Sequence, residues 1–468
     1  MKPSVSRRGL LQAGTLSIAG LVLAACSSSP PPSPTAAAAQ PASSAAAAPT
    51  SQTAAAPAAP TVATAASAAS AKEPASIAWS GWGDIFEQTL YKDIIAAFVK
   101  ENPNIKVNQI HIPAAGEYGQ KLFPMIAAGN APDDIRTGTQ FFPDMYYQKA
   151  MLDLTSYFKA SPELLDVKQY FTSLYEIYQM DGKYYGTVLG PTVTLVYYNV
   201  DLFQKANLEP PNDSWTYDDF VNLAKKLTVQ QGGKTTQFGA ANTINAREFW
   251  EGLIWSKGGE LFDQMHDPKQ CLLDKPEAIA SFQWIQDLVW KDKVAPTAAE
   301  AQGFVGGFNS GKIGLEIQGS WAIPARKKIT AFKWDLAPMP MDKTRFVTHY
   351  AGAVIVYGKT KFPDAAWELA KYVQSDTAQK LIAENGLNTP MMIKWADSDA
   401  FLKAPGSPPH HKVRVDEMAY SRNRDAYFPK WNEAQTKVWT PEIDKLMLNK
   451  QTPDVTGKNM TQETDKLL

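Results

Sequence analysis

Between residues 76 and 139, strand-like apolar runs alternate with stretches of helical period. This alternation restricts the fold more than any other feature of the chain. Residues 76–82 read as a strand, 86–101 as a helix with Leu90, Ile94, Ala97 and Phe98 on one face, and 105–112 as a second strand. A helix over 117–128 stops at Gly129-Asn130, and a third strand ends near Thr137-Gly138-Thr139. Strands separated by helices in this way form parallel βαβ units. The prediction is an α/β fold with a crevice beyond the carboxyl ends of the strands. Trp82, Gly83 and Asp84 fall beyond the first strand, and Thr137, Thr139 and Gln140 beyond the third.

A later stretch, 308–321, reads as a helix end followed by one short strand. Phe304, Val305 and Phe308 are spaced to share a face of a helix over 299–309, and Gly311 suits a helix stop that needs positive φ. Ile313, Leu315 and Ile317 alternate as a strand does. Gly319 permits close backbone approach, and Trp321 follows at the strand's exit, where a ring can line a crevice or pack into the core.

The pattern F-x-x-G-K-x-x-x-x-x-x-G-S-W over 308–321 is similar to the signature of family 1 extracellular solute-binding proteins, the maltose-binding-protein-like receptors of sugar ABC importers. Further stretches resemble that family in the expected order. They are Ala128-Gly129-Asn130-Ala131-Pro132-Asp133, Asp181-Gly182-Lys183-Tyr184-Tyr185-Gly186, Tyr197-Tyr198-Asn199-Val200-Asp201-Leu202-Phe203, Pro210-Pro211 with Trp215-Thr216, the helix 365–373, and Gln379 through Pro390. Asp181-Gly182 also has a plain physical reading as the preferred pair of a type I′ turn.

The resemblance implies a bilobal periplasmic-binding-protein-like fold: two α/β lobes joined by three hinge crossings, with the ligand cleft between them. Carried onto this chain, lobe 1 is 76–190 with 315–350, and lobe 2 is 191–314 with 351–468. The crossings then fall at 190–192, near 312–315 and near 350–353, each with a glycine able to absorb a hinge rotation. The implied function is capture of a mono- or oligosaccharide by hinge closure and its delivery to the transmembrane subunits of an ABC importer, with no catalysis and no cofactor.

A pyranose presents apolar C–H faces and a rim of hydroxyls, so a receptor needs flat rings and polar groups together. With 13 Trp and 18 Tyr the chain is well supplied with rings. The ring candidates are Trp82, Phe249, Trp250, Trp255, Trp321 and Tyr350. The polar candidates are Asp84, Gln140, Thr192, Glu248 and Arg422. Thr137 is a candidate at a position where some family members carry a stacking tryptophan, and Thr192 stands where some carry glutamate. Trp250 and Trp255 can be core or cleft, as can Trp431 and Trp439. Trp284, Trp290 and Trp367 lie on amphipathic helices and are expected in the core.

The amino terminus reads as an address. Arg7-Arg8 precedes an apolar run over 16–25, and Leu23-Ala24-Ala25-Cys26 resembles a lipobox, which implies a signal peptide over 1–25 and a diacylated Cys26. The twin arginine leaves Tat and Sec export both open. Residues 26–75, almost entirely Ala, Pro, Ser and Thr, cannot bury enough surface to order themselves and suit a tether with a reach on the order of 40 Å. The expected location is the outer face of the bacterial cytoplasmic membrane, as a lipid-anchored monomer. With Cys26 acylated, Cys271 has no partner for a disulfide.

The rival classes are weaker. Without Lys2, Arg7 and Arg8 the formal charge goes from −1 to −4, which offers no broad basic field for nucleic acid. Asp133-Asp134 sits at a turn before a strand, where aspartate is common without catalysis, and no G-x-S-x-G motif occurs. Among the five histidines only His410-His411 are adjacent, in a loop expected to be solvated, with no metal-binding partner motif. Other small polar solutes remain alternatives to a sugar: an anion, a polyol phosphate or a peptide. An extracellular carbohydrate-active enzyme is the remaining alternative.

Overall fold

The computed structural model describes residues 74–468 except Asn242, Ile244, Asn245 and Arg424. The signal segment, nearly all of the tether and Cys26 lie outside the described residues.

Strands β1 (Ala75–Trp82), β2 (Ile105–Ile112) and β3 (Asp134–Thr137) are parallel, with β1 paired to β2 from Ala75↔Ile105 to Trp82↔Ile112 and to β3 on its other side. Helix α1 (Ile85–Glu101) makes the first return and buries Leu90, Tyr91, Ile94, Ile95 and Phe98, the stripe expected of a helix laid on a sheet. Asp84 caps it, its Oδ1 accepting from the Phe86 and Glu87 amides at 2.8 and 3.2 Å. Helix α2 (Ala115–Ala128) stops at Gly129 with φ 76°. The Asp181-Gly182 hairpin has φ 52° and 73°, the positive pair a type I′ turn requires.

Two long strands organise the rest. All 13 residues of β4 (Thr187–Asn199) are buried, and β9 (Val347–Val356) runs antiparallel beside it. Between them in sequence lie β5 (Val229–Gln231), β6 (Lys234–Ala240), β7 (Ile313–Gly319) and β8 (Trp334–Ala337), and β10 (Ser421–Asn423) follows. The hydrogen-bonded order is β2-β1-β3-β9-β4-β7-β6-β5, with β8 on the distal half of β4 and β10 on the start of β9.

The apolar side chains form two cores. The first gathers residues from 75–189 and 351–392, with Tyr427. The second gathers residues from 193–347 and 426–460. The chain passes between them inside β4 at 190–192, inside β9 at 348–350, and through the segment 393–425, where Met418 packs against both cores.

This division corrects the expected lobe boundaries. Residues 315–350 belong with the second core, because β7 pairs with Thr194–Tyr198, the part of β4 beyond the crossing. Residues 351–392 belong with the first, because Ala353–Val356 pair with β3. The crossing expected near 312–315 is therefore absent, and 393–425 takes its place. The helix expected over 299–309 is also broken. A short helix, Ala298–Ala301, gives way to a 3-10 turn, Gly307–Ser310, because Gly306 and Gly307 adopt positive φ. Phe308 is buried while Val305 is 86% exposed, so they share no face.

Candidate functional site

A cleft of about 470 Å³ opens where the two long strands cross between the cores. Trp82, the last residue of β1, enters it with Gly83 and Asp84 just beyond, and Gly138 and Gln140 enter beyond the carboxyl end of β3. Thr192 and Tyr350 face each other in register at the crossings themselves. Trp321 follows the end of β7, and Leu387 and Asn388 follow helix Asp376–Asn385. Six residues singled out in the sequence thus share one cleft: Trp82, Asp84, Gln140, Thr192, Trp321 and Tyr350.

Local chemistry fixes each ring. Trp321 folds back on its own strand, and a Cβ at Gly319 would lie 2.0 Å from its ring, so the ring holds this position only over a residue without a side chain. The Trp321 and Tyr350 rings meet edge to face, centroids 5.1 Å apart at 83°. The Tyr350 hydroxyl donates to Glu248 Oε2 at 3.3 Å. Trp82 is held by Tyr118 and Phe141 at 5.0 and 5.6 Å and by the Arg136 guanidinium, 4.1 Å from its ring centre.

The polar wall has a definite electrostatic arrangement. Arg136 is buried, donates to the Trp82 carbonyl at 2.7 Å and pairs with Glu87 at 2.6 Å. Burial opposes its charge, but Tyr91 and Glu87 outweigh that opposition and hold its pKa above the ordinary value. Burial also pushes the Tyr91 hydroxyl up to about 12. At the crossing, His349 Nδ1 lies 2.9 Å from Ser421 Oγ, and burial pulls its pKa down to about 4, against the opposing pull of Asp425.

Other candidates lie elsewhere. Thr137 is fully buried beneath the cleft, its hydroxyl donating to the Gly138 carbonyl at 3.2 Å. Phe249, Trp250 and Trp255 are in the second core, because the whole of Phe249–Ser256 in helix Arg247–Ser256 is buried. Arg422 stacks 4.8 Å over the Trp255 ring and pairs with Glu260 at 2.9 Å, so it covers the core and does not line the cleft. Glu248 stands behind Tyr350. Trp367, Trp431 and Trp439 are buried; Trp284 packs at the edge of the second core, and Trp290 is 38% exposed. His411, expected in a solvated loop, is buried between Phe401 and Arg414, whereas His410 bonds Asp335 at 2.6 Å.

Glu87, Arg136 and Asn388 were not anticipated. Arg136 was within reach, since it stands one residue before the strand end where the crevice was expected. Glu87 reaches the cleft only because Gly83, at φ 138°, leaves room for it: a Cβ there would lie 2.0 Å from Glu87 Oε2.

Asp133 and Asp134 do not form a catalytic pair in this cleft. Asp133 accepts from the Ala78 amide at 2.8 Å and from Thr360 Oγ1 at 2.5 Å, and Asp134 is fully buried. Among the described residues no group of three or more His, Cys, Asp or Glu is placed to hold a metal ion, and no helix is long and apolar enough to cross a membrane.

Two cores, three crossings and a ring-lined cleft at the hinge define a two-lobed solute receptor of the periplasmic-binding class. The chain belongs to the bacterial extracellular solute-binding protein family, whose model matches residues 83–380. It is 26% identical over 333 residues to the multiple sugar-binding protein of Streptococcus mutans, covering 66% of this chain and 73% of that protein. An ABC substrate-binding protein of Listeria monocytogenes, solved in complex with cycloalternan, superposes with a TM-score of 0.75 at 24% identity, over 84% of this chain and 99% of that one. UgpB from Mycobacterium tuberculosis, solved with glycerophosphocholine, superposes with a TM-score of 0.69 at 16% identity, over 83% and 97%.

Proposed function

We propose that this protein captures a mono- or oligosaccharide in the hinge cleft and delivers it to an ABC importer without changing it. One observation carries the reading: Trp82, Trp321 and Tyr350 share a single cleft with Asp84, Gln140 and Thr192. Rings cover the C–H faces of a sugar, at about 1 kcal/mol each beyond area burial. Carboxylate, amide and hydroxyl groups bind its rim, at roughly 1.5–3 kcal/mol for each bond to a charged group. A few of each supply the approximately −8 kcal/mol of micromolar binding. The sugar ligands of the Streptococcus and Listeria proteins agree with this. The glycerophosphocholine of the Mycobacterium protein keeps a polyol phosphate as the alternative.

The crossings at 190–192, 348–350 and 393–425 are the proposed hinge. Gly190, at φ 147°, is a position where the backbone already sits outside ordinary L-residue space. The tether and a lipid on Cys26 would hold this receptor as a monomer on the outer face of the cytoplasmic membrane.

A thermal-shift screen against mono- and oligosaccharides, with glycerol 3-phosphate beside them, tests the ligand class, since a ligand bound to the native state must raise the midpoint. Mass spectrometry of the recovered ligand should find it intact. A midpoint raised by glycerol 3-phosphate and by no sugar would replace the reading. Replacing Cys26 with Ala should move the protein from the membrane to the soluble fraction, and lipid labelling that persists would overturn the anchor.

A further inference from the structure

We infer that Arg136 is a positioning residue for the cleft: it fixes the Trp82 ring as a stacking platform and is not itself a ligand for an anion. The inference deepens the carbohydrate reading and rests on it. Four contacts converge on this one guanidinium. It donates to the Trp82 carbonyl at 2.7 Å and to Glu87 at 2.6 Å, and it stacks 4.1 Å over the Trp82 ring and 4.9 Å over that of Tyr91. Backbone and ring of Trp82 are therefore tied to the same group, and that group stands on β3, a strand buried along its whole length.

The turn that carries Trp82 is wound around this contact. Gly83 takes φ 138°, Asp84 caps α1, and Glu87, in the first turn of that helix, comes back to the arginine. Without Arg136 the Trp82 ring would keep its contacts with Tyr118 and Phe141 but lose the cation on its face, and Glu87 would be left in the cleft wall without its ion-pair partner. A cation over a ring held away from water stabilises one orientation of that ring. Lysine cannot reproduce this, because a single ammonium cannot serve two oxygen acceptors at a planar fork's geometry while stacking on two rings. The engagement also has a consequence for selectivity: a phosphate entering the cleft would have to compete with Glu87 and the Trp82 carbonyl for this guanidinium.

The test uses the full chain labelled with 5-fluorotryptophan, with the Trp82 fluorine resonance assigned by Trp82→Phe and Trp367, in the first core, as the fold control. In Arg136→Met the Trp82 resonance should shift and broaden while that of Trp367 stays in place. An unmoved Trp82 resonance overturns the inference. Should Arg136→Met disturb Trp367 as well, Arg136→Lys is read by the same criterion. Affinities for maltose and mannobiose complete a cycle with Trp82→Ala. Each single variant should weaken binding about tenfold, and the double variant little more than either, because both remove the same platform. Effects that multiply fully overturn the inference. So does glycerol 3-phosphate binding to the wild type that Arg136→Met abolishes with the Trp82 resonance unmoved. If the wild type binds neither sugar, the carbohydrate reading fails, and the fluorine resonance still decides the role of Arg136.

Discussion

The Trp321 ring lies so close over Gly319 that a methyl group there would sit 2.0 Å from it. Strand β7 thus ends in a residue chosen for what it leaves out. Gly319→Ala must swing the ring away from Tyr350 and should weaken sugar binding by about fivefold, the worth of one lost ring contact of about 1 kcal/mol. Isothermal titration of the variant checks this, and wild-type affinity would remove Trp321 from the binding wall.

Trp321→Ala and Trp367→Ala should part company. Trp367 is 4% exposed in the first core, and its truncation should cost roughly 3–5 kcal/mol of stability. Trp321 is half-buried on the cleft, so its truncation should cost affinity with a much smaller change in the denaturant midpoint. Equal falls in both midpoints would mark Trp321 as core.

His349 should make the protein acid-sensitive in a defined window. Burial lowers its pKa from 6.5 to about 4, with Asp425 opposing, so the unfolded chain binds the proton first as pH falls. Stability is full above the unfolded value and declines between about pH 6.5 and 4, by roughly 3 kcal/mol, levelling off below. His349→Asn should flatten that part of a plot of urea midpoint against pH. An unchanged slope would assign the acid sensitivity to other groups.

Gly190→Ala attacks the first crossing. A Cβ would lie 2.2 Å from the Thr389 carbonyl oxygen, at φ 147°. The expected loss is at least about 1–3 kcal/mol from backbone strain alone, read as a lowered melting midpoint.

Asp133→Ala should lower stability without removing any chemistry. Its carboxylate joins the Ala78 amide to the Thr360 hydroxyl, two segments of the first core. A lost bond to a charged acceptor costs roughly 1.5–3 kcal/mol. Retained sugar affinity at 20 °C below the new midpoint would confirm a structural role.

Local grammar carried the sequence reading furthest where it determines structure. The βαβ alternation placed β1, β2 and β3 and the crevice residues Trp82, Asp84 and Gln140, because period and strand ends are local properties. Trp250 and Trp255 were ambiguous, and Phe249 was placed wrongly in the cleft, because an amphipathic pattern does not say which other helix will cover it. Here Trp250 meets Phe282 and Trp439, rings distant in sequence. The lobe boundaries failed for the same reason. Which part of β4 accepts β7 is a matter of register between residues more than 100 positions apart, and no local pattern encodes it. Glu87 and Arg136 were missed because their meeting depends on a single glycine conformation at Gly83.

The braided path of the chain also sets a timetable. The first core begins at residue 75 but is closed by residues 351–392, and the second is closed by 426–460. A polypeptide halted at residue 340 would hold an incomplete version of each. The usual economy of vectorial synthesis, in which an amino-terminal domain finishes before the next emerges, does not operate here. Both cores must wait for the carboxyl-terminal quarter of the chain, so neither can close while any shorter amino-terminal portion stands alone.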